Sequence, residues 1–264
     1  MTRLTSGLVM AAVVVAAIWW LPTAALRLLA LAVAVVALVE FVGIARTLGA
    51  QVSLAVALTG TVVCFAAASY PAGLDTLTGV GLLVVVFGAV VLGASGVTAT
   101  LLDFGTLLAA AVYIGVPLGQ LVALHAGRGR YLVLLVLATV VVSDTAQYYA
   151  GRTFGRHLLA PAVSPKKTVE GAAGGLVGGV LLMATAGAWV LPGYPAWLLG
   201  FFGAALVAVG IGGDLFESKL KRAAGVKDSG SLIPGHGGVL DRIDALLFVI
   251  PVFYAFLALT AERP

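Results

Sequence analysis

Four aspartates place an ionisable carboxyl group within or beside a long apolar stretch. They are Asp144, Asp214, Asp241 and Asp244. Ionisable side chains at membrane depth are energetically costly and mark functional sites by default. Carboxylate oxygens are also the ligands that hard divalent cations prefer. Taken alone, the four aspartates suggest a path for cations.

Lysine and arginine are concentrated beside these carboxylates. Mg²⁺ is commonly held by one or two protein carboxylates together with substrate phosphates, and phosphate groups also need cationic side chains. The mixture of charges therefore favours a hard cation with phosphates over a cation path. The alternative, that the charges only pair and anchor helix ends, is weaker for the whole cluster than for any single residue. The basic residues concerned are Lys166, Lys167, Lys219, Lys221, Arg222 and Lys227.

Polar side chains near the aspartates recur at helical spacing. Residues three, four or seven positions apart lie on one face of a helix, so each set is expected to share a face. Glu40 is a weaker candidate, because it lies near the inner end of the second predicted span. A carboxylate at a helix end close to the lipid headgroups needs no special functional role. The predicted faces are Asp144 with Gln147 and Tyr148, Asp214 with Glu217, Ser218 and Lys221, and Asp241 with Asp244.

A glycine-rich segment, PGHGGVLDR at 234–242, precedes the last apolar stretch. Gly235, Gly237 and Gly238 allow the backbone to approach an anion and to present N–H groups ahead of a helix N-terminus. The segment lacks the Gly-Lys-Ser/Thr ending of a Walker A loop. His236 is either a residue for phosphate contact or proton transfer, or an ordinary loop residue, and both alternatives stay open.

The composition defines the class of protein. Of 264 residues, 61% are hydrophobic and 10% are charged, and the mean hydropathy is +1.14. Soluble domains have about 25% charged residues and disordered chains have low hydrophobicity, so both classes are excluded. Membrane topology explains the net charge of +4 better than nucleic-acid binding does. The single cysteine, Cys64, excludes a disulfide framework, and its apolar neighbours predict a small buried residue.

Stretches of about 20 apolar residues predict an all-α, polytopic integral membrane bundle of about nine transmembrane helices. The first stretch resembles a signal peptide but is interpreted as a span, because another apolar stretch follows it. Two overlapping GxxxG patterns at 174–179 predict close helix packing, either within the chain or between two copies. The predicted spans are 6–21, 25–45, 50–69, 77–95, 104–125, 131–150, 172–191, 195–215 and 243–261.

Charge asymmetry predicts the orientation. With the N-terminus in the cytoplasm, eleven of the fifteen lysines and arginines lie on the inner side, as the positive-inside rule requires. Two long polar loops, 151–171 and 216–242, then fall on that side. We therefore expect spans 1–5 over residues 1–130 and a catalytic region over 131–264, in the cytoplasmic membrane with the site facing the cytoplasm.

The polar run from 218 to 244 is similar to the signature of the phosphatidate cytidylyltransferases, the CDP-diacylglycerol synthases. It is SKLKRAAGVKDSGSLIPGHGGVLDRID and matches that pattern at all of its fixed positions. Upstream, SDTAQYYAGRTFGRH and SPKKTVEG resemble a second stretch of the family, in which an intramembrane Asp precedes a Ser-Pro-Lys-Lys loop. The resemblance covers the chain from about residue 140 onward.

The resemblance implies an enzyme that converts CTP and phosphatidic acid to CDP-diacylglycerol and pyrophosphate with Mg²⁺. It also implies a second, monovalent cation such as K⁺, a homodimer and a surrounding lipid bilayer. Asp214 and Asp241 match the metal-binding carboxylates of the family. Positions with an implied catalytic role are Asp144, Lys221, Arg222, Lys227, Asp228, His236 and Asp244. Positions with an implied substrate-binding role are Ser164, Lys166, Lys167, Ser218, Gly237, Gly238 and Arg242.

Other functions use similar parts. A CTP-dependent membrane lipid kinase of the polyprenol type, or an archaeal-type lipid cytidylyltransferase, would also bind phosphates, and the kinase differs in its products. An ion-coupled transporter would use intramembrane aspartates as an ion path. Transporters often contain two similar halves, whereas this sequence has no such repeat and gathers its polar residues at one face.

Asparagine substitutions at the two expected metal ligands test that assignment. Asp214→Asn and Asp241→Asn are each expected to reduce turnover to near background while the protein stays folded and inserted, because a neutral amide is a weaker ligand for a hard cation. Asp75→Asn, in a loop predicted on the opposite side, is the control and is expected to do little. Near-normal turnover in either of the first two variants contradicts the metal assignment.

Overall fold

The computed structural model describes residues 2–70, 85, 87–88, 101–232 and 237–260. Several sequence-based assignments lie outside these residues. They are nearly all of the fourth predicted span at 77–95, the control residue Asp75, Gly235 and His236.

The described chain is helical, as its hydropathy predicts. Its helices are α1 (Thr2–Trp20), α2 (Thr23–Thr47), α3 (Leu54–Ser69), α4 (Leu101–Arg128), α5 (Arg130–Phe154), α6 (Val169–Val190), α7 (Ala196–Ala223) and α8 (Leu240–Thr260). Each coincides with a predicted span. Six of these helices are long and apolar enough to cross a membrane, so the chain is a polytopic membrane protein. The apolar parts of α1 and α3 are shorter, and the count of nine spans stays a prediction.

Two helices extend further into polar sequence than predicted. α5 continues to Phe154 and α7 to Ala223, so both polar connections are shorter than the predicted 151–171 and 216–242. The last turns of α7 have the sequence ESKLKR, in which long charged side chains recur at helical spacing. Such side chains keep their charged ends in water while the helix continues beneath them, and this explains the difference.

A short antiparallel hairpin separates α5 from α6 and is the one departure from the all-α prediction among the described residues. Strand β1 (Leu158–Ala160) pairs with β2 (Ser164–Thr168), and Leu158 lies opposite Thr168. The strands are three and five residues long, and β2 contains a proline and two lysines. These residue types are uncommon in strands, so the sequence pattern gave no signal for the hairpin.

The described residues belong to two compact units, and each unit is built from two separate parts of the chain. The first unit comprises Met1–Gly127 and Ala223–Ile243, and the second comprises Arg128–Arg222 and Asp244–Pro264. The polar segment between α7 and α8 therefore belongs to the same unit as the N-terminal helices. The sequence analysis placed a boundary at residue 130 between the N-terminal spans and the catalytic region. That boundary concerned function rather than packing, and it stays a prediction.

Glycines allow close packing of α3 and α4 in the first unit. An added Cβ at Gly115 would lie 2.6 Å from the carbonyl oxygen of Thr61, and one at Gly119 would lie 2.5 Å from that of Phe65. Cys64 lies in the same contact and is only 1% exposed. The prediction of a small buried residue at this position is confirmed.

Glycines of α6 form the corresponding contacts in the second unit. Gly174 and Gly178 lie against Ala150 and Ala146 of α5, and Gly179 lies against Gly203 of α7. The overlapping GxxxG patterns therefore pack helices within the chain, which is one of the two uses predicted for them. This packing brings the polar ends of α5, α6 and α7 together.

Alanine substitutions at two glycines of α7 test this packing. An added Cβ at Gly203 would lie 2.6 Å from the carbonyl oxygen of Gly179, whereas one at Gly212 would meet nothing within 4 Å. Overpacking is expected to lower the free energy of unfolding of Gly203→Ala by about 1–3 kcal/mol. Gly212→Ala is the control, and it is expected to be neutral or slightly stabilising because alanine has the higher helix propensity. Equal stability of both variants in detergent-based unfolding contradicts the described contact.

Candidate functional site

Asp214 lies at the centre of a polar cluster in the second unit. Its Oδ2 is 2.5 Å from Nζ of Lys167 on β2, and its Oδ1 accepts a 3.2 Å hydrogen bond from the Ser218 hydroxyl, one turn further along α7. The side chains of Lys167 and Asp214 are 19% and 36% exposed. The predicted shared face of Asp214 and Ser218 is confirmed.

Two further aspartates belong to this cluster. Asp144 on α5 and Asp244 on α8 both lie within electrostatic range of Asp214. Asp144 Oδ1 accepts a 3.1 Å hydrogen bond from Nε2 of Gln147, which also donates to the Ser143 hydroxyl at 3.0 Å. The predicted face of Asp144 and Gln147 is confirmed. Three of the four aspartates singled out in the sequence therefore gather in one unit.

A small crevice lies beside Asp144 and has room for about one water molecule. The polar side chains of Ser143 and Asp144 line one part of it, and aliphatic side chains line another. The aliphatic walls are formed by Leu206, Val207 and Val249.

A second ion pair lies one turn further along α7 and is more deeply buried. Lys221 Nζ is 3.0 Å from Oε1 of Glu217, and the two side chains are 11% and 0% exposed. Asp244 lies within electrostatic range of Lys221 as well. The sequence analysis placed Glu217 on this face without giving it a role. Its burial beside an ammonium group shows that it holds Lys221, because a charge in low dielectric requires a partner.

Glu170, in the first turn of α6, closes the base of the hairpin. Its Oε2 accepts the N–H of His157 at 3.2 Å, and its Oε1 is 2.6 Å from Nδ1 of the same histidine. The Thr168 side chain caps α6 by accepting the N–H of Gly171 at 3.0 Å. The sequence analysis quoted Glu170 within SPKKTVEG but gave it no role. These contacts fix both ends of the hairpin that carries Lys167.

In the first unit, Asp241 organises the segment that precedes α8. Its Oδ2 accepts the N–H groups of Ser229 at 2.9 Å and of Gly238 at 2.8 Å, and lies 2.9 Å from the Ser229 hydroxyl. Gly237 adopts a φ of +82°, which favours glycine, and an added Cβ there would lie 2.6 Å from Asp241 Oδ2. One carboxylate oxygen of Asp241 therefore binds both Ser229 and Gly238.

Glu40 on α2 lies in the same network. Its Oε1 accepts the N–H of Val239 at 3.0 Å, and its Oε2 accepts the N–H of Leu240 at 2.8 Å and lies 3.0 Å from the Ser229 hydroxyl. The expectation that this carboxylate has no special role was wrong. Its place in an apolar stretch was the signal that could have identified it.

The other predicted site residues lie nearer the surface. Tyr148, predicted to share the face of Asp144, is exposed, and its hydroxyl accepts a 3.2 Å hydrogen bond from Arg152. His236 lies outside the described residues. Ser164 is half-buried, and the exposed members of the set are Lys166, Arg222, Lys227, Asp228 and Arg242.

The carboxylates fit Mg²⁺ by the chemistry of their donor atoms. Within the part of the chain that the structure describes, no three His, Cys, Asp or Glu side chains form a group that could enclose a metal ion. A Mg²⁺ site does not require three, because the ion is usually held by one or two carboxylates and by substrate phosphates. Asp214 already faces the ammonium group of Lys167. The Asp214 carboxylate therefore already lies against one positive charge, the ammonium group of Lys167.

The buried pair of Glu217 and Lys221 is expected to matter most when one partner alone is lost. Glu217→Leu leaves the Lys221 ammonium in apolar surroundings and is expected to lower the free energy of unfolding by about 3–5 kcal/mol. Glu217→Leu/Lys221→Met removes both charges and is expected to recover part of that loss, because Asp244, which is hydrogen-bonded to Glu217 and lies near Lys221, then loses both partners. Unfolding in detergent measures both variants, with the exposed Lys219→Ala as the control. A double variant no more stable than Glu217→Leu contradicts the pairing.

Three curated proteins named phosphatidate cytidylyltransferase are similar to this chain. The protein from Pseudomonas aeruginosa is 47% identical over 127 residues, which are 48% of this chain and 47% of that protein. The protein from Synechocystis is 46% identical over 133 residues, which are 50% and 44%. The protein from Bacillus subtilis is 40% identical over 168 residues, which are 61% of each. The chain thus spans about half the length of the first two of these relatives.

A family profile covers far more of the sequence than these pairwise matches. The profile of the Cytidylyltransferase family matches residues 1–260. The match therefore includes the helices of both units and both polar networks described above. This chain belongs to the Cytidylyltransferase family.

Proposed function

We propose that this chain is a phosphatidate cytidylyltransferase, which transfers CMP from CTP to phosphatidic acid. Family membership and the names of its relatives support the proposal. The observation that carries it is the ion pair of Lys167 and Asp214, with Asp144 and Asp244 in electrostatic range. A reaction between two phosphates needs cationic side chains for the phosphates and carboxylates for a metal ion, and this cluster contains both.

In the proposed reaction, a phosphate oxygen of phosphatidic acid attacks the α-phosphorus of CTP. A new P–O bond forms, the bond from the α-phosphorus to the α,β-bridging oxygen breaks, and pyrophosphate leaves with that oxygen. Both reactants are anions, so catalysis consists mainly of positioning and charge stabilisation. No nucleophilic side chain is needed, which suits a chain whose single cysteine is buried.

The two paired lysines would act in different ways. Lys167 is partly exposed, so its ammonium group can exchange the Asp214 carboxylate for a phosphate oxygen. Lys221 is held by the buried Glu217 and would supply positive potential from a fixed position. Charge-assisted hydrogen bonds to the phosphates would come from exposed basic residues, namely Lys166, Arg222, Lys227 and Arg242.

Mg²⁺ is the proposed cofactor, with Asp214 and Asp241 as its ligands. Asp241 is proposed as a ligand from the resemblance to the family, and its Oδ2 also accepts hydrogen bonds from Ser229 and Gly238. When bound, the ion polarises phosphate oxygens and orients the displacement. A second, monovalent cation such as K⁺, and supporting roles for Asp144, Asp228 and Asp244, are proposed from the resemblance to the family.

The glycine-rich segment is proposed to approach a phosphate of the substrate. Gly237 and Gly238 are proposed to contribute to substrate binding from the resemblance to the family, and the N–H of Gly238 is already donated to Asp241. His236 is proposed to contact a phosphate or to transfer a proton. Hydroxyl groups for substrate binding are proposed at Ser164 and Ser218.

The membrane provides a route for each substrate. We place the site at the cytoplasmic side of the cytoplasmic membrane, because most lysines and arginines fall on one side of the predicted topology. A homodimer is proposed from the resemblance to the family. CTP would enter from the cytoplasm and phosphatidic acid from the inner leaflet.

An assay of products tests the proposed function. Purified protein in detergent, given α-labelled radioactive CTP, phosphatidic acid and Mg²⁺, is expected to form labelled lipid and pyrophosphate in equal amounts, both lost on chelation. Lys167→Ala is expected to reduce turnover at least about tenfold because a phosphate ligand is lost. Arg128→Ala, at an exposed arginine at the end of α4, is the control and is expected to retain activity.

The other products of this assay would each identify a different function. CDP together with a phosphorylated lipid would contradict the proposal and indicate a CTP-dependent lipid kinase. Unchanged CTP with folded protein would contradict any CTP-consuming enzyme, and ion flux in vesicles would then be measured.

A further inference from the structure

We infer that Glu40 of α2 is a positioning residue for the segment that precedes α8, and through that segment for Asp241. The catalytic consequence of this inference rests on the proposed function. Glu40 lies outside the stretch that carries the sequence resemblance, and its partners Ser229 and Leu240 lie 189 and 200 residues later in the chain. All of these residues belong to the first unit.

The Glu40 carboxylate supplies a cap that α8 lacks. The first N–H groups of a helix have no acceptor within that helix, and a side-chain oxygen of the preceding residue normally accepts from them. The residue before α8 is Val239, whose side chain has no acceptor. Glu40 instead accepts the N–H groups of Val239 and Leu240 from another helix. Its negative charge is also favoured at a helix N-terminus.

Two glycines make room for this carboxylate. An added Cβ at Gly238 would overlap Glu40 Oε2 and the hydroxyl oxygen of Ser229, and one at Gly230 would lie 2.6 Å from Glu40 Oε1. The sequence analysis predicted that glycines of this segment allow an anion to approach the backbone. At Gly238 the anion that approaches is the carboxylate of Glu40.

The Ser229 hydroxyl connects Glu40 to Asp241. It lies 3.0 Å from Glu40 Oε2 and 2.9 Å from Asp241 Oδ2. A hydroxyl has one proton, so it donates to one of these carboxylates at a time. Loss of Glu40 would leave this proton to Asp241 and would free two N–H groups at the start of α8. Asp241 lies in the first turn of that helix, so its orientation depends on Glu40.

Hydrogen exchange tests the placement of Glu40 without any assay of activity. Glu40→Gln keeps the size of the side chain but turns one acceptor into an NH₂ donor, which then faces an N–H group. Backbone amides at 239–241 are expected to exchange roughly five- to tenfold faster in this variant, as expected for the loss of a cap. Asp103→Asn is the matched control, because Asp103 is a buried carboxylate of the same unit that accepts the N–H of Gln51 at 2.7 Å.

Kinetics tests the consequence for the reaction. Glu40→Gln is expected to lower kcat about 10- to 100-fold through misplacement of Asp241. KM for CTP is expected to change by less than about threefold, because a positioning residue acts on the transition state more than on binding. Asp103→Asn is expected to leave both constants near those of the natural chain. Ser229→Ala removes only the hydroxyl that connects Glu40 to Asp241. This variant is expected to lower kcat without faster hydrogen exchange of the backbone amides at 239 and 240.

Each outcome has a defined meaning. Unchanged exchange at 239–241 in a folded Glu40→Gln protein overturns the inference, and so does equal acceleration in Asp103→Asn. If Glu40→Gln does not fold, Ser229→Ala decides, and a normal kcat in that variant overturns the coupling to Asp241. If the natural chain does not consume CTP, the proposed function fails, while hydrogen exchange still decides whether Glu40 holds the segment.

Discussion

The constraint on which this structure depends is that every carboxylate near the apolar region needs a donor. In the second unit that donor is the Lys167 ammonium for Asp214 and the Lys221 ammonium for Glu217. In the first unit, backbone N–H groups serve Glu40 and Asp241. A buried charge without such a partner costs several kcal/mol. The hairpin brings Lys167 to Asp214, and the described residues before α8 bring their N–H groups to Glu40 and Asp241.

Local geometry explains which parts of the site the sequence could predict. Asp214 with Ser218 and Asp144 with Gln147 are four and three residues apart, and helix periodicity alone brings each pair together. The partners of Glu40 are nearly 200 residues away, so no periodicity within α2 could indicate them. The pairing of Lys167 with Asp214 likewise depends on a hairpin that has no recognisable strand pattern.

The helices were predictable because a long apolar stretch has few alternatives in a membrane. Their ends were less predictable, since α5 and α7 continue through polar sequence that hydropathy assigned to loops. The GxxxG patterns of α6 indicated close packing, but the choice between a partner in the same chain and a second copy required the positions of Gly179 and Gly203. Packing partners are a property of the fold, whereas apolar length is a property of the sequence.

The two pairs of a lysine with a carboxylate differ in burial. Burial determines which lysine could leave its carboxylate for a phosphate during a reaction. Lys167 and Asp214 are 19% and 36% exposed, so water offsets most of the cost of separating them. Lys221 and Glu217 are 11% and 0% exposed, and their separation would leave an unpaired charge in apolar surroundings. An arriving phosphate can therefore compete for Lys167 but has little prospect of drawing Lys221 from Glu217. The same residue type thus provides a mobile cation on the hairpin and a fixed one on α7, and burial of the acidic partner makes the difference.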